Sequence, residues 1–98
     1  MEPIDAREGG TIQITVNLSS FGPNHTRPQI QWYHHAQPIV SDNIHYRIIE
    51  EYDTSTLEII NITRGDTGQV WCVATTPAGS ATTTCTINVS GNEKIILI

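Results

Sequence analysis

The sequence predicts an all-β protein folded as a two-layer sandwich, and three observations indicate this class. Val, Ile and Thr are abundant whereas Ala and Leu are scarce, and β-branched residues fit the pleated surface of a sheet. Apolar residues recur at alternate positions in several short runs, which is the period of a strand with one buried face. Turn-forming residues separate these runs at a spacing typical of a sandwich.

The alternation is clearest in the strand predicted over residues 11–18, whose even-numbered residues are apolar and whose odd-numbered residues are polar. A loop rich in Ser, Gly, Pro and Asn follows over residues 19–28. The other strands are predicted over residues 4–8, 29–34, 44–50, 55–62, 69–76 and 81–89, with a brief further pairing at 39–40.

Because successive residues of a strand point to opposite faces, odd or even position along each strand (its parity) predicts which residues lie in the core. We expect Val16, Trp32, Leu57 and Cys72 at its centre, because each has the inward parity of its strand. Further inward positions complete the two packed layers, namely Ile14, Ile30, Ile59 and Ile87.

The two cysteines allow at most one internal disulfide. A hairpin turn over residues 76–79 sets Cys72 opposite Thr83 and Cys85 opposite Val70. The cysteines are then diagonal neighbours at roughly 7–8 Å, beyond the usual Cα separation of about 4.4–6.8 Å for a disulfide. We therefore expect two thiols, and a bulge or a two-residue slip is the alternative that would join them.

Composition and motifs exclude several functions. The net charge of −5 gives no electrostatic footprint for nucleic acid or an anionic membrane, and no apolar run is long enough to span a bilayer. The sequence carries neither a Gly-x-Ser-x-Gly elbow nor a phosphate-binding glycine loop. His34 and His35 are adjacent on a strand and should face opposite sides, so they should not share a metal ion. We expect no enzyme activity, no cofactor and no metal.

Four segments together resemble the intermediate (I) set of immunoglobulin domains. Residues 57–72 carry Leu-x-Ile, a short crossing, Asp-x-Gly and then Cys, which is similar to that family's E strand, E–F corner and F strand. The other three segments resemble the entry to strand B, strand C, and the end of strand F; they are Glu8-Gly9-Gly10-Thr11-Ile12, Pro28-Gln29-Ile30-Gln31-Trp32, and Cys72-Val73-Ala74 leading to Gly79.

The resemblance covers residues 4–89 and implies an immunoglobulin-like sandwich of two antiparallel sheets in Greek-key topology. Such modules form the tandem arrays of giant muscle proteins such as titin, twitchin and obscurin, and they also occur in extracellular adhesion molecules. The implied function is that of a non-enzymatic spacer and protein-binding module. The implied partners are neighbouring immunoglobulin or fibronectin modules and sarcomeric or cytoskeletal proteins, and any kinase activity would belong to the parent protein. As an isolated module, the chain is expected to be monomeric.

Two positions depart from the family pattern. Val16 stands where the first inter-sheet cysteine would be, and Val70 stands where the corner tyrosine would be. A domain without the bridge suits a reducing compartment. We therefore expect a cytoplasmic location in the sarcomere or the actin cytoskeleton. The alternative is an extracellular recognition module, which is favoured by four glycosylation sequons beginning at Asn17, Asn24, Asn61 and Asn88.

The resemblance and the strand parity each single out candidate sites. Arg47 and Asp66 match a salt bridge that is frequent in immunoglobulin domains. Parity places Trp71 and Val73 of strand F and Gln31 and Tyr33 of strand C on the outer face, where an exposed Trp can anchor a partner protein. The alternative is a cross-strand aromatic pair shielded by threonines.

The domain is expected to cover residues 1–91, and residues 92–98 are either a tail or the start of an inter-domain linker. The long loop before strand C, which contains Phe21 and His25, is either part of a domain junction or a tolerated insertion.

Overall fold

A computed structural model describes residues 3–18 and 28–90. Its strands are β1 (Ile4–Arg7), β2 (Ile12–Asn17), β3 (Gln29–His34), β4 (Gln37–Pro38), β5 (Tyr46–Glu50), β6 (Thr54–Ile59), β7 (Gly68–Thr76) and β8 (Gly79–Ser90). A single 3₁₀ turn, Arg64–Asp66, lies between β6 and β7, within the segment of residues 60–67 that we call the E–F corner.

The strands form two sheets, one of five strands in the order β1-β8-β7-β3-β4 and one of three in the order β2-β6-β5. The chain crosses between the sheets after β1, β2, β4 and β6, which is Greek-key connectivity. The predicted all-β sandwich is therefore confirmed. One detail differs, because β1 runs parallel to β8 and the larger sheet is mixed rather than purely antiparallel.

Strand boundaries depart from the prediction where side chains or left-handed backbone end the pairing. β5 begins at Tyr46 rather than at residue 44, because the Asp42 carboxylate accepts hydrogen bonds from the backbone N–H groups of residues 44, 45 and 46. β6 ends at Ile59 rather than at residue 62, and Asn61 has a φ of 54°. The brief pairing expected at residues 39–40 lies instead at Gln37–Pro38.

The core occupies the space between the sheets. Val16, Trp32, Leu57 and Cys72 all belong to its one cluster of buried residues, and Trp32 is only 1% exposed. Ile30, also expected inward, is only partly buried and packs against this cluster. Burial of a large apolar side chain contributes about 1.5–3 kcal/mol, so this cluster is the main source of stability.

The β7–β8 hairpin has the predicted register. Cys72 pairs with Thr83 and Val70 pairs with Cys85, so the two cysteines are diagonal neighbours on the inner face. Both sulfurs are buried thiols rather than halves of a disulfide. Burial raises the pKa of Cys72 to about 11 and also raises the pKa of Cys85. Neither thiol is therefore poised to react as a thiolate.

Some expectations concern segments that the structure does not describe. The loop with Phe21 and His25, the sequon at Asn24 and the end of the chain after residue 90 all lie outside the described residues. Among residues 3–18 and 28–90, no helix has the length and apolar character needed to cross a membrane.

Candidate functional site

The outer side of the five-stranded sheet carries the predicted binding surface. Gln31, Tyr33, Trp71 and Val73 alternate with buried residues of β3 and β7, and all four are half-buried. Tyr33 pairs directly with Trp71, and Gln31 pairs with Val73. These four residues therefore form one contiguous patch, which we call the aromatic face.

The two rings of the aromatic face stack on each other. The centroids of Tyr33 and Trp71 are 5.6 Å apart, and the ring planes differ by 17°. Such a pair contributes about 0.5–1.5 kcal/mol beyond its buried area. The cross-strand pair considered from the sequence is thus present, and both residues remain partly exposed.

The surroundings of the aromatic face are polar but uncharged. Exposed Thr82 and Thr84 on β8 lie opposite Val73 and Trp71. β3, β7 and β8 contain no Asp, Glu, Lys or Arg at any position. A partner that covers this part of the sheet would therefore remove no formal charge from water, which is the costliest step in burying a polar surface.

The outer side of the three-stranded sheet is built differently. Gln13 Nε2 donates to Glu58 Oε2 at 2.7 Å, and Arg47 Nη1 lies 3.7 Å from Glu58 Oε1. The hydroxyl groups of Thr15 and Thr56 are 2.9 Å apart. The polar side chains on this outer face therefore bind one another across neighbouring strands.

The expected salt bridge between Arg47 and Asp66 is replaced by two other pairs. Arg47 alternates with the inner residues Tyr46 and Ile48 of β5, so its guanidinium lies on the outer face beside Glu58. Asp66 lies at the E–F corner, where its carboxylate oxygen Oδ1 is 2.9 Å from His45 Nε2. The strand pleat separates the residues that the family resemblance would pair.

Asp66 is held by the corner itself. The residue is 5% exposed, and its Oδ2 accepts a hydrogen bond from the Thr63 N–H at 2.8 Å. Burial by itself would raise the pKa of this carboxyl, but the bonds from Thr63 and His45 outweigh it and lower the pKa of Asp66 below its ordinary value. The carboxylate is therefore charged and fixes the shape of the 3₁₀ turn.

His34 joins the E–F corner to both sheets. Its imidazole is 3% exposed, with Nε2 2.9 Å from the backbone oxygen of Asp66 and Nδ1 2.6 Å from the hydroxyl oxygen of Tyr46 on β5. A carbonyl oxygen can only accept, so Nε2 carries a proton. Burial lowers the pKa of His34, so the ring is neutral near pH 7 and Nδ1 accepts from the Tyr46 hydroxyl. This neutral tautomer satisfies both ring nitrogens.

The expectation that His34 and His35 diverge is wrong. β3 ends at His34, and His35 and Ala36 take φ values of 54° and 62° in the turn to β4. This left-handed backbone brings the two imidazole centroids to 4.0 Å. Even so, the described residues contain no group of three or more His, Cys, Asp or Glu arranged to hold a metal ion.

A second hydrogen bond links the sheets deeper in the core. The indole Nε1 of Trp32 donates to the Ser55 hydroxyl at 3.0 Å, and Ser55 is the direct partner of Val16. The sequence analysis missed Ser55, His34 and Tyr46 as a set of polar links between the layers. The sequence did carry a signal for two of them. Ser55 lies two residues from Leu57 and His34 lies two residues from Trp32, so each shares the inward face of its strand.

Comparisons with known proteins agree with this architecture. Residues 1–89 match the immunoglobulin I-set domain. Mouse myotilin is 33% identical over 66 residues, which is 67% of this chain and 13% of myotilin. The muscle M-line assembly protein unc-89 of Caenorhabditis elegans is 36% identical over 63 residues, which is 64% of this chain and 1% of unc-89. The chain thus spans only a small part of these relatives.

A solved structure of the titin M4 domain shares the fold, with a TM-score of 0.81 and 21% identity over 92% of this chain and 88% of M4. Because the family match extends over nearly the whole sequence and the sandwich has the corresponding topology, the chain belongs to the immunoglobulin I-set domain family.

Proposed function

We propose that this chain is a non-enzymatic spacer and protein-interaction module of a multidomain intracellular protein in the sarcomere or the actin cytoskeleton. Family membership supports a binding and structural module, and one relative is named a muscle M-line assembly protein. Its partners would be neighbouring immunoglobulin or fibronectin modules and a sarcomeric or cytoskeletal protein. Residues 1–91 would form the module, and residues 92–98 would lead away from it.

The observation that carries the interaction role is the aromatic face. Trp and Tyr are enriched among residues that dominate binding energy, because they bury a large area at little cost in conformational entropy. Tyr33 and Trp71 hold each other in place, so little ordering is needed when a partner binds. The uncharged strands around them further lower the cost of desolvation.

The spacer role is supported by the way in which the two layers are joined. The core cluster and the Trp32–Ser55 and His34–Tyr46 hydrogen bonds connect the sheets without a disulfide. Such a domain keeps its cross-links in a reducing compartment, where a disulfide would not persist.

The test expresses the fluorescently tagged chain in striated muscle cells beside a Trp71→Ala variant. The wild-type chain should accumulate on a sarcomeric band, and the variant should become diffuse because it lacks the indole anchor. Thr15→Ala is the matched control, since Thr15 lies on the outer face of the opposite sheet. A wild-type chain that shows no enrichment, or a variant that keeps it, would contradict the proposal.

An extracellular recognition module is the second candidate, because three sequon asparagines are exposed in the structure: Asn17, Asn61 and Asn88. The buried thiols favour the intracellular assignment. Mass spectrometry of the native parent protein separates the two, since a glycan on Asn61 would place the module outside the cell.

A further inference from the structure

The E–F corner of this chain lacks the side chain that usually fastens it. In immunoglobulin domains, a tyrosine two residues before the strand F cysteine bonds through its hydroxyl to the backbone a few residues upstream. Here that position is Val70, whose buried side chain has no polar atom. The residue directly opposite Val70 on β3 is His34, and His34 Nε2 makes a bond to the backbone oxygen of Asp66.

We infer that the E–F corner is an acid-sensitive latch, in which His34 supplies the corner hydrogen bond from the facing strand and weakens the join between the sheets when it is protonated. The geometry gives the reason. Nδ1 of the neutral ring accepts the hydrogen bond of the Tyr46 hydroxyl at 2.6 Å. A protonated ring has donors at both nitrogens, so that bond is lost unless Tyr46 rotates its own proton away.

Tyr46 can keep its contact with a protonated His34 only by turning its hydroxyl proton away, so that its oxygen accepts from Nδ1–H and the proton loses its present acceptor. Burial raises the pKa of Tyr46, followed in effect by the charges of Asp66 and Asp42, so its hydroxyl stays protonated throughout the relevant range. The ring of Tyr46 also packs edge-on against His34 and His45, with centroids 5.8 Å and 4.6 Å away. Protonation of His34 therefore forces the Tyr46 hydroxyl to give up its role as donor in this hydrogen bond between β3 and β5.

After burial and the bond to the Asp66 backbone, the charged groups around His34 adjust how strongly it resists protonation. His35 at 4.0 Å and the nearby His45 repel a positive ring once they are themselves charged, whereas the Asp66 carboxylate attracts it. In the 3₁₀ turn, Arg64 forms a salt bridge with Glu8, with 2.9 Å between Arg64 Nε and Glu8 Oε1. The neighbouring strands β4, β7 and β8 contribute no Asp, Glu, Lys or Arg.

Burial is the largest influence and lowers the pKa of His34 below the ordinary 6.5, and its bond to the Asp66 backbone opposes this only in part. The unfolded chain therefore takes up the proton first as the pH falls. Stability from this site is complete above about pH 6.5 and declines below it until the folded-state pKa is reached. Asp66, whose pKa is lowered from 3.8, acts at more acidic pH and lies outside this window.

The first experiment measures urea unfolding of the full chain between pH 7.5 and 5. The unfolding equilibrium constant of the wild type should rise by up to about tenfold per pH unit below pH 6.5, the limit for one linked proton. His34→Gln replaces the ring by an amide that has a donor NH₂ group and an acceptor oxygen and does not titrate, so this variant should flatten the pH dependence. His35→Gln is the matched control, because His35 is exposed, and it should retain most of the slope.

The second experiment does not depend on a variant that folds. Imidazole NMR of the wild-type chain should show His34 as the neutral Nε2-protonated tautomer at pH 7 and should show its titration below the ordinary pKa of 6.5. A His34 that titrates at or above pH 6.5 would overturn the latch. So would an unchanged pH slope in folded His34→Gln. Neither outcome bears on partner binding at the aromatic face, so the latch and the proposed function can fail separately.

Discussion

Trp32 and His34 lie two residues apart on β3 and both connect the two sheets, yet they do so by different physics. Trp32 is 1% exposed, belongs to the apolar cluster and uses one neutral hydrogen bond to Ser55. His34 is buried to a similar extent but is surrounded by Tyr46, His45 and Asp66. The first join depends on burial and on a hydrogen bond between groups that do not titrate, whereas the second also depends on protonation.

The difference shows that two non-covalent joins, one at Trp32 and one at His34, can connect the sheets of a sandwich that has no disulfide between them. The join at Trp32 should be indifferent to pH, because neither an indole nor a hydroxyl titrates in the physiological range. The join at His34 can weaken while the centre of the core stays intact. The module can therefore loosen locally at the E–F corner before it unfolds as a whole.

Of the variants considered, Trp32→Ala should lower the free energy of unfolding most. Removing a buried indole leaves a cavity and the unpaired Ser55 hydroxyl, and should lower the free energy of unfolding by about 3–5 kcal/mol. Urea denaturation followed by circular dichroism measures this. A loss similar to that of Trp71→Ala, the tryptophan on the outer face, would show that the core is not centred on Trp32.

Val16→Cys should restore the covalent link that the sequence lacks. Val16 stands where the family carries its first inter-sheet cysteine, and Val16 and Cys72 both line a partly open pocket of about 170 Å³, so a sulfur at residue 16 should reach Cys72. Oxidation should then raise stability by about 2–4 kcal/mol.

The same variant under reducing conditions is the control. Titration of the oxidised variant should find one thiol, and three remaining thiols would mean that the two strands are too far apart. If the disulfide forms, the acid sensitivity assigned to His34 should persist, because the new link does not touch the E–F corner.

Ser55→Ala tests whether the hydrogen bond of Trp32 is independent of pH, in contrast to that of His34. It leaves the indole N–H of Trp32 without its buried acceptor, which should cost about 1–3 kcal/mol. The loss should be equal at pH 7.5 and pH 5.5, as measured by parallel urea titrations. Tyr46→Phe is the counterpart at the other join, and its cost should be smaller at pH 5.5 than at pH 7.5.

Trp71→Ala should have the smallest effect on stability. The variant loses the stacking contact with Tyr33 but little core packing, so we expect a loss of about 0.5–1.5 kcal/mol. Thermal unfolding beside Thr84→Ala, which removes the neighbour of Trp71 on β8, isolates the aromatic contribution. Global unfolding of the variant would mean that the aromatic face is part of the core rather than a surface for partners.

Local regularity is what made most of the architecture predictable. The period of two along the chain assigned Trp32 and Cys72 inward and Tyr33 and Trp71 outward, and the hairpin turn set the register of Cys72 against Thr83. Each of these inferences needs only the chain on either side of a residue. The boundaries of β5 and β6 were less accurate, because they depend on the Asp42 side chain and on the left-handed Asn61.

The sequence by itself determined the sandwich, its inner and outer faces and the absence of the usual inter-sheet cysteine, because alternation and residue type are properties of neighbouring positions. Only the tertiary structure decided that Asp66 pairs with His45, that His35 turns back on His34, and that His34 makes the corner bond. The two contacts of Asp66 join segments far apart in the chain, and the contact between His34 and His35 follows from the left-handed turn after β3. Their outcome depends on distances and burial that arise once the two sheets have packed together.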